Sequence, residues 1–168
     1  DGMKILQVTP WFIPAKSNGL KTVSHNVAKT LARRGHEVMV YTTDVDPGCP
    51  RLTVREIGNV DGIKVRYFKN MSNWLAAKYR IFLPLKMVWA VRREISGFDI
   101  IHLHDFRNAL NVIVHHYAQK YGIPYVLQAH GSLPRIGVWL KLKWIYNVLF
   151  GYRLLRDASK VIALSEVE

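Results

Sequence analysis

Cysteine is nearly missing from this sequence. Cys49 stands alone in 168 residues, so no disulfide can close within the chain, and a lone thiol fits a reducing compartment. Acidic residues are also scarce: 12 Asp and Glu face 24 Lys and Arg, a formal charge of +12. Such an excess implies an anionic partner, whether nucleic acid, a phospholipid surface or a phosphorylated small molecule, and does not choose among them. Apolar runs are short. None reaches the roughly 18 uncharged residues of a membrane span, because Lys and Arg interrupt each one. The run Ile5–Val8 is too short for a signal peptide. Asp1-Gly2 reads as an appendage before a natural start at Met3. Absent too are G-x-G-x-x-G, G-x-x-x-x-G-K-[ST] and G-x-S-x-G, which removes the dinucleotide fingerprint, the P-loop and the hydrolase elbow.

What is present is an alternation of strand and helix signals. Hydrophobic residues make up 49% and charged residues 21%, a globular composition. "MKILQVT", "EVMVYTT", "FDIIHLHD", "IPYVLQAHG" and "SKVIALS" read as strands. Between the first two, Val23, Val27 and Leu31 recur at helical spacing, with Ser17 or Asn18 as N-cap and Gly35 as the left-handed cap. "LTVREI" and "GIKVRYF" predict two short strands at an edge, with Asn59 and Asp61-Gly62 between them. The segment from Asn73 to Gly97 is helical by composition and divided by Pro84. Asn108–Tyr121 predicts a helix with Ala109, Val112, Ile113 and Tyr117 on one face, and Arg135–Arg156 predicts one long helix. The sum is an α/β domain over 3–168, Rossmann-like, with an open, mainly parallel sheet and helices on both faces.

In such a sheet, ligands bind beyond the carboxyl ends of the strands. The first such loop ends in Asn18-Gly19 at a helix start. Unpaired N–H groups there welcome an anion, and Gly19 keeps a Cβ out of the way; the same glycine also suits a tight loop. His102 and His104 share a strand face, and two histidines without a third ligand are a thin metal signal, so no metal site is expected. Asp105 suits the N-cap of the next helix, and His104 and Asp105 lie nearer the rim than His102. His130 ends a strand, Gly131 frees the backbone and Arg135 follows; an imidazole there can bond a sugar or phosphate, or serve structure alone. Trp139, Lys141, Lys143, Trp144 and Arg153 interleave aromatic and basic groups along one helix. That pattern suits a membrane interface, a nucleic-acid grip, or a buried face backed by a basic solvated one.

Taken in order, "MKILQVTPWFIP", Ser17-Asn18-Gly19, "LARRGHEVMVYTT", "FDIIHLHD", "YVLQAHGSLPR" and "LRDASKVIALSE" resemble the N-terminal, acceptor-side domain of group 1 glycosyltransferases with the GT-B fold. The resemblance implies transfer of a sugar from a nucleotide diphosphate sugar, with retention and with no tightly bound cofactor. Asn18 and Gly19 would face the donor diphosphate; many relatives have two glycines in that loop, where this chain has Asn18 first. His130 would act on the transferred sugar. His104, Asp105, Gly131 and Arg135 would line the cleft and acceptor site. The donor-binding C-terminal domain is expected to be missing from these 168 residues. A lipid-linked acceptor, an anionic membrane surface on its cytoplasmic side, and no nucleic acid are the partner expectations. Two rivals stand beside it: a non-catalytic basic module that binds nucleic acid or an anionic surface, and a complete small α/β enzyme of flavodoxin-like type with a tightly bound cofactor.

Overall fold

A computed structural model describes residues 2–16, 19–46, 51–133 and 139–164. The expected caps Ser17 and Asn18, together with Cys49 and Arg135, lie outside the described residues. Strand β1 (Lys4–Val8) leads to helix α1 (Gly19–Arg33) and then to β2 (Glu37–Thr43). A hairpin of β3 (Ile57–Val60) and β4 (Ile63–Phe68) follows. Helices α2 (Asn73–Tyr79) and α3 (Leu85–Glu94) precede β5 (Ile100–His104), α4 (Ala109–Tyr121) and β6 (Tyr125–Gln128). Helix α5 (Leu140–Tyr146) passes through a π-turn, Asn147–Gly151, into α6 (Tyr152–Arg156), and β7 (Lys160–Ile162) closes the described sheet.

The strand order is β3-β4-β2-β1-β5-β6-β7, and every pairing except β3 with β4 is parallel. From β1 the chain moves one way to β2, and later the other way to β5 and β6. The switch point therefore lies between β1 and β5, where Val8 stands opposite Leu103. An open parallel sheet leaves a crevice at this place, outside the carboxyl ends of the strands.

Two apolar layers sandwich the sheet. Leu6, Val8, Tyr41, Ile101, Leu103 and Leu127 pack with Met87, Val91, Leu110 and Val114 from α3 and α4. On the opposite side Ile5, Val38, Val40 and Val65 pack with Ala28 of α1. Helices thus lie on both faces, unevenly. In α1 the fully buried residues are the small Ser24 and Ala28, so the helix sits close to the sheet, and Val23, Val27 and Leu31 flank that contact half-buried. In α4 the buried stripe is Leu110, Val114 and Ala118, turned from the expected face, with Ile113 and Tyr117 at its margin.

Local chemistry explains the boundaries. Gly35 and Gly122 take left-handed φ of 87° and 67° just after α1 and α4, positions where a Cβ is penalised. The first edge strand is misplaced in the sequence reading: residues 52–56 are not strand, and β3 begins at Ile57 and includes Asn59. The cause is the turn. Asp61 and Gly62 have φ of 53° and 84°, a pair that makes a two-residue hairpin, and the Gly62 N–H donates to Asn59 Oδ1 at 2.9 Å. The last helix is also shorter than expected, since its described start is Leu140.

Candidate functional site

Three strand ends meet at the switch point. His104 is the last residue of β5, and its backbone carbonyl lies 3.5 Å from the Asn111 amide of α4. The Asp105 N–H donates to the Gln128 carbonyl at 2.9 Å, which ties the end of β5 to the end of β6. Asp105 has a left-handed φ of 67° and accepts from the Phe106 N–H at 2.8 Å, and Asn108 is the N-cap of α4 in its place, accepting from the Asn111 N–H. Asp105 as N-cap is thereby corrected. His130 and Gly131 are left-handed as well, with φ of 53° and 79°. Two non-glycine residues in this region of φ cost the backbone energy, and they flank one crevice.

These turns bring two imidazoles into contact. His104 Nδ1 lies 2.9 Å from His130 Nε2. His102 stacks on His104 with centroids 4.1 Å apart and planes at 28°, and His104 and His130 stack at 5.2 Å and 30°. His104 is fully buried, whereas His102 and His130 are half-buried. The expectation that His104 and Asp105 would sit more openly than His102 is therefore reversed: α4 and His130 cover them. Burial pushes the His102 pKa down to about 4, against a hydrogen bond that its ring donates to Gln128 and that favours the charged form. Burial and the two neighbouring imidazoles hold His104 well below the ordinary histidine value. Both rings are neutral near pH 7. Their Nε2 atoms, and both amide atoms of the buried Gln7, have no partner among the described residues. No group of three or more His, Cys, Asp or Glu residues could hold a metal ion among the described residues.

Gly19 is the first residue of α1, at the same carboxyl edge of the sheet, because α1 follows β1. A Cβ built on Gly19 meets nothing within 4 Å, and its φ is not left-handed. Among the described residues, neither packing nor backbone angle demands a glycine there.

Arg107 was not singled out in the sequence. Its guanidinium donates to the carbonyls of Ser132 and Leu133, the latter at 2.8 Å, and its Nε donates to Asn147 Oδ1 at 3.1 Å. Tyr146 adds a hydroxyl bond to the Phe106 carbonyl at 3.0 Å. One arginine in the β5–α4 loop thus braces the segment after His130 against the π-turn. A lone arginine in a loop, between Phe106 and Asn108, carries no periodic signal that would single it out.

The helix from Leu140 to Arg156 buries Asn147, Gly151 and Leu154 and exposes its large apolar residues. Trp139 is 61% exposed and Trp144 52%, and Leu140, Leu142, Ile145, Leu149 and Phe150 stand out beside them. A shallow depression of about 620 Å³ is lined by Trp139, Leu140, Lys141, Leu142 and Ile145. The Trp139 ring meets Tyr79 of α2 at 5.9 Å, and Tyr79 meets the exposed Trp74 at 5.7 Å, which joins the two surfaces. Lys141 and Arg153 are exposed, and Lys143 is half-buried. The helix thus has a buried stripe, as the buried-face alternative expected, and its exposed side is apolar as well as basic. Among the described residues, no helix is long and apolar enough to cross a membrane.

The sequence matches, over residues 17–168, the family described as Glycosyltransferase Family 4. No curated protein matches it. Among solved structures, HepE of Anabaena, crystallised with UDP and glucose, is similar at 20% identity and a TM-score of 0.63, over 98% of this chain and 39% of HepE. MurG of Acinetobacter baumannii is similar at 15% identity and a TM-score of 0.52, over 95% of this chain and 41% of MurG. At such identities the likeness is one of fold, and the chain spans about two fifths of each of these structures.

Proposed function

We propose, for a chain that belongs to Glycosyltransferase Family 4, that it is the N-terminal, acceptor-side half of a retaining GT-B glycosyltransferase. The observation that carries this reading is the switch point. There the N-terminus of α1 at Gly19 and the His104–His130 pair stand on one carboxyl edge of the sheet. The donor is a nucleotide diphosphate sugar. Its diphosphate lies against the first N–H groups of α1, where the helix dipole is positive and no Cβ intervenes. His130 bonds the transferred sugar, and Gly131 and Arg135 border the acceptor. The bond between the anomeric carbon and the diphosphate oxygen breaks, and its electron pair leaves with the diphosphate. The acceptor oxygen takes the carbon on the same face and gives its proton to the departing diphosphate oxygen. N–H groups and cations that meet the developing charge lower the barrier. A second domain holds the rest of the donor and closes over it, so these 168 residues alone transfer no sugar.

The acceptor is lipid-linked in this reading. Exposed hydrocarbon from Trp139 to Tyr152, beside Lys141 and Arg153, supports a resting place on the anionic cytoplasmic surface of a membrane.

Two substitutions in the full-length polypeptide test the site. Gly19→Val puts a side chain where the diphosphate would lie, and transfer falls on the order of 10²-fold. The unfolding temperature stays near that of the parent, because the added atoms meet open space. His130→Ala slows transfer about tenfold, the value of one hydrogen bond to the sugar. Normal turnover in both variants with a nucleotide-sugar donor overturns the assignment.

A further inference from the structure

We propose that His104 is a positioning residue: its Nδ1–H donates to Nε2 of His130 and so fixes the His130 proton on Nδ1. His130 then meets its ligand as a neutral hydrogen-bond donor. Only the last step, toward a donor sugar, rests on the function proposed above; the tautomer is a property of this chain.

Two ring nitrogens 2.9 Å apart share one proton when both rings are neutral. Two arrangements are possible. If His130 donated, the His104 proton would sit on Nε2, which is fully buried and has no partner. A buried N–H with nothing to bond is the rarer and costlier vacancy. If His104 donates, the vacancy on Nε2 is a lone pair, which proteins leave unmade more readily. The second arrangement is favoured. On β5, His102 stacks on His104, and its backbone stands opposite Gln7 of β1 and Val126 of β6. From β6, Gln128 stands opposite His104 and hydrogen-bonds His102. From α4, Asn111 reaches the His104 carbonyl. Asp105 follows His104 in the chain, and its Oδ1 is turned to the Phe106 N–H.

A further consequence concerns acid. While the His104 N–H occupies the Nε2 lone pair, His130 cannot take a second proton there without breaking that bond.

The test has two arms. Long-range 1H–15N spectra of the chain, labelled at histidine, distinguish protonated from bare ring nitrogens. At neutral pH, Nδ1 should carry the proton on both His104 and His130. His104→Leu should return His130 to the Nε2–H form that free imidazole prefers. His104→Asn, whose amide N–H falls near the place of Nδ1, should keep the native form. A wild-type His130 with its proton on Nε2, or a tautomer that ignores His104→Leu, overturns the proposal. In the full-length transferase, His104→Leu should lower kcat several-fold with little change in KM. His104→Asn should restore kcat. A correct tautomer with unchanged kinetics supports the positioning of His130 and overturns its role toward the sugar.

Discussion

Around His104, polar side chains are buried; from Leu140 to Phe150, hydrocarbon stands in water. The two regions depart from the ordinary arrangement in opposite directions, and they lie next to each other in the fold. At the strand ends, Gln7, His104 and Gln128 sit inside the sheet's edge, and several of their polar atoms lack partners. Along the last helix the buried positions are Asn147 and Gly151, while Trp144, Leu149 and Phe150 face outward. Unmet polarity under a cover suits a group that must contact a ligand in a set tautomer. Uncovered hydrocarbon suits contact with another surface. Arg107 joins the two, because it bonds both the carbonyls after His130 and the side chain of Asn147.

The comparison breaks most visibly through charge. Replacing Lys141, Lys143 and Arg153 together with Gln should weaken attachment to anionic vesicles by on the order of 10²-fold, at about 1 kcal/mol for each cation near the surface. Added salt should weaken the parent in the same direction. Equal sedimentation with neutral and anionic vesicles would remove the membrane reading and leave the site reading intact.

A middle-sized effect belongs to the buried histidines. Their folded-state pKa values lie below those of the unfolded chain, so folding is favoured while both are neutral. That advantage is whole above the ordinary imidazole value and is lost as pH falls toward about 4, the folded value of His102. Between neutral pH and pH of about 5 the loss should be on the order of 1–3 kcal/mol, read from urea unfolding. A His102→Gln variant should lose less. A flat profile would mean that these rings are hydrated and can be charged in place.

The smallest effect is the sharpest contrast. Trp144→Ser should change stability by no more than about 0.5 kcal/mol, as for a surface position, while Leu154→Ala on the same helix should cost about 2–5 kcal/mol. If Trp144→Ser cost as much as Leu154→Ala, the outer face would be packed after all.

Strands and their order of appearance were legible in the sequence, because β1, β2, β5, β6 and β7 are apolar runs with glycine or proline punctuation. The hairpin was legible in kind and wrong in register. Asn59 fits a turn by composition, yet the left-handed pair Asp61-Gly62 alone makes the turn and returns Asn59 to β3. For the site, Gly19 and His130 could be named because they stand at strand-to-helix junctions. The bond from His104 to His130 could not be seen, since it joins residues 26 apart through sheet pairing, which has no local signal. Exposure of the last helix was equally hidden. Its composition says that aromatic and basic residues alternate, and only packing says that Gly151 turns inward, where Phe106 lies 2.9 Å from the place of a Cβ.

The uneven placement of helices also has a kinetic side. Among the described elements only α1 covers its face of the sheet, over β1, β2 and β4, while β7 stays exposed at all of its residues and pairs only with β6. Protection against amide exchange must then grade across the sheet, slowest where β1 is enclosed between β2 and β5 and fastest at β7. Opening will begin at that rim and move inward. The strand ends that carry His104 and His130 lie between the two extremes, held by the closed centre on one side and bordered by the fraying edge on the other.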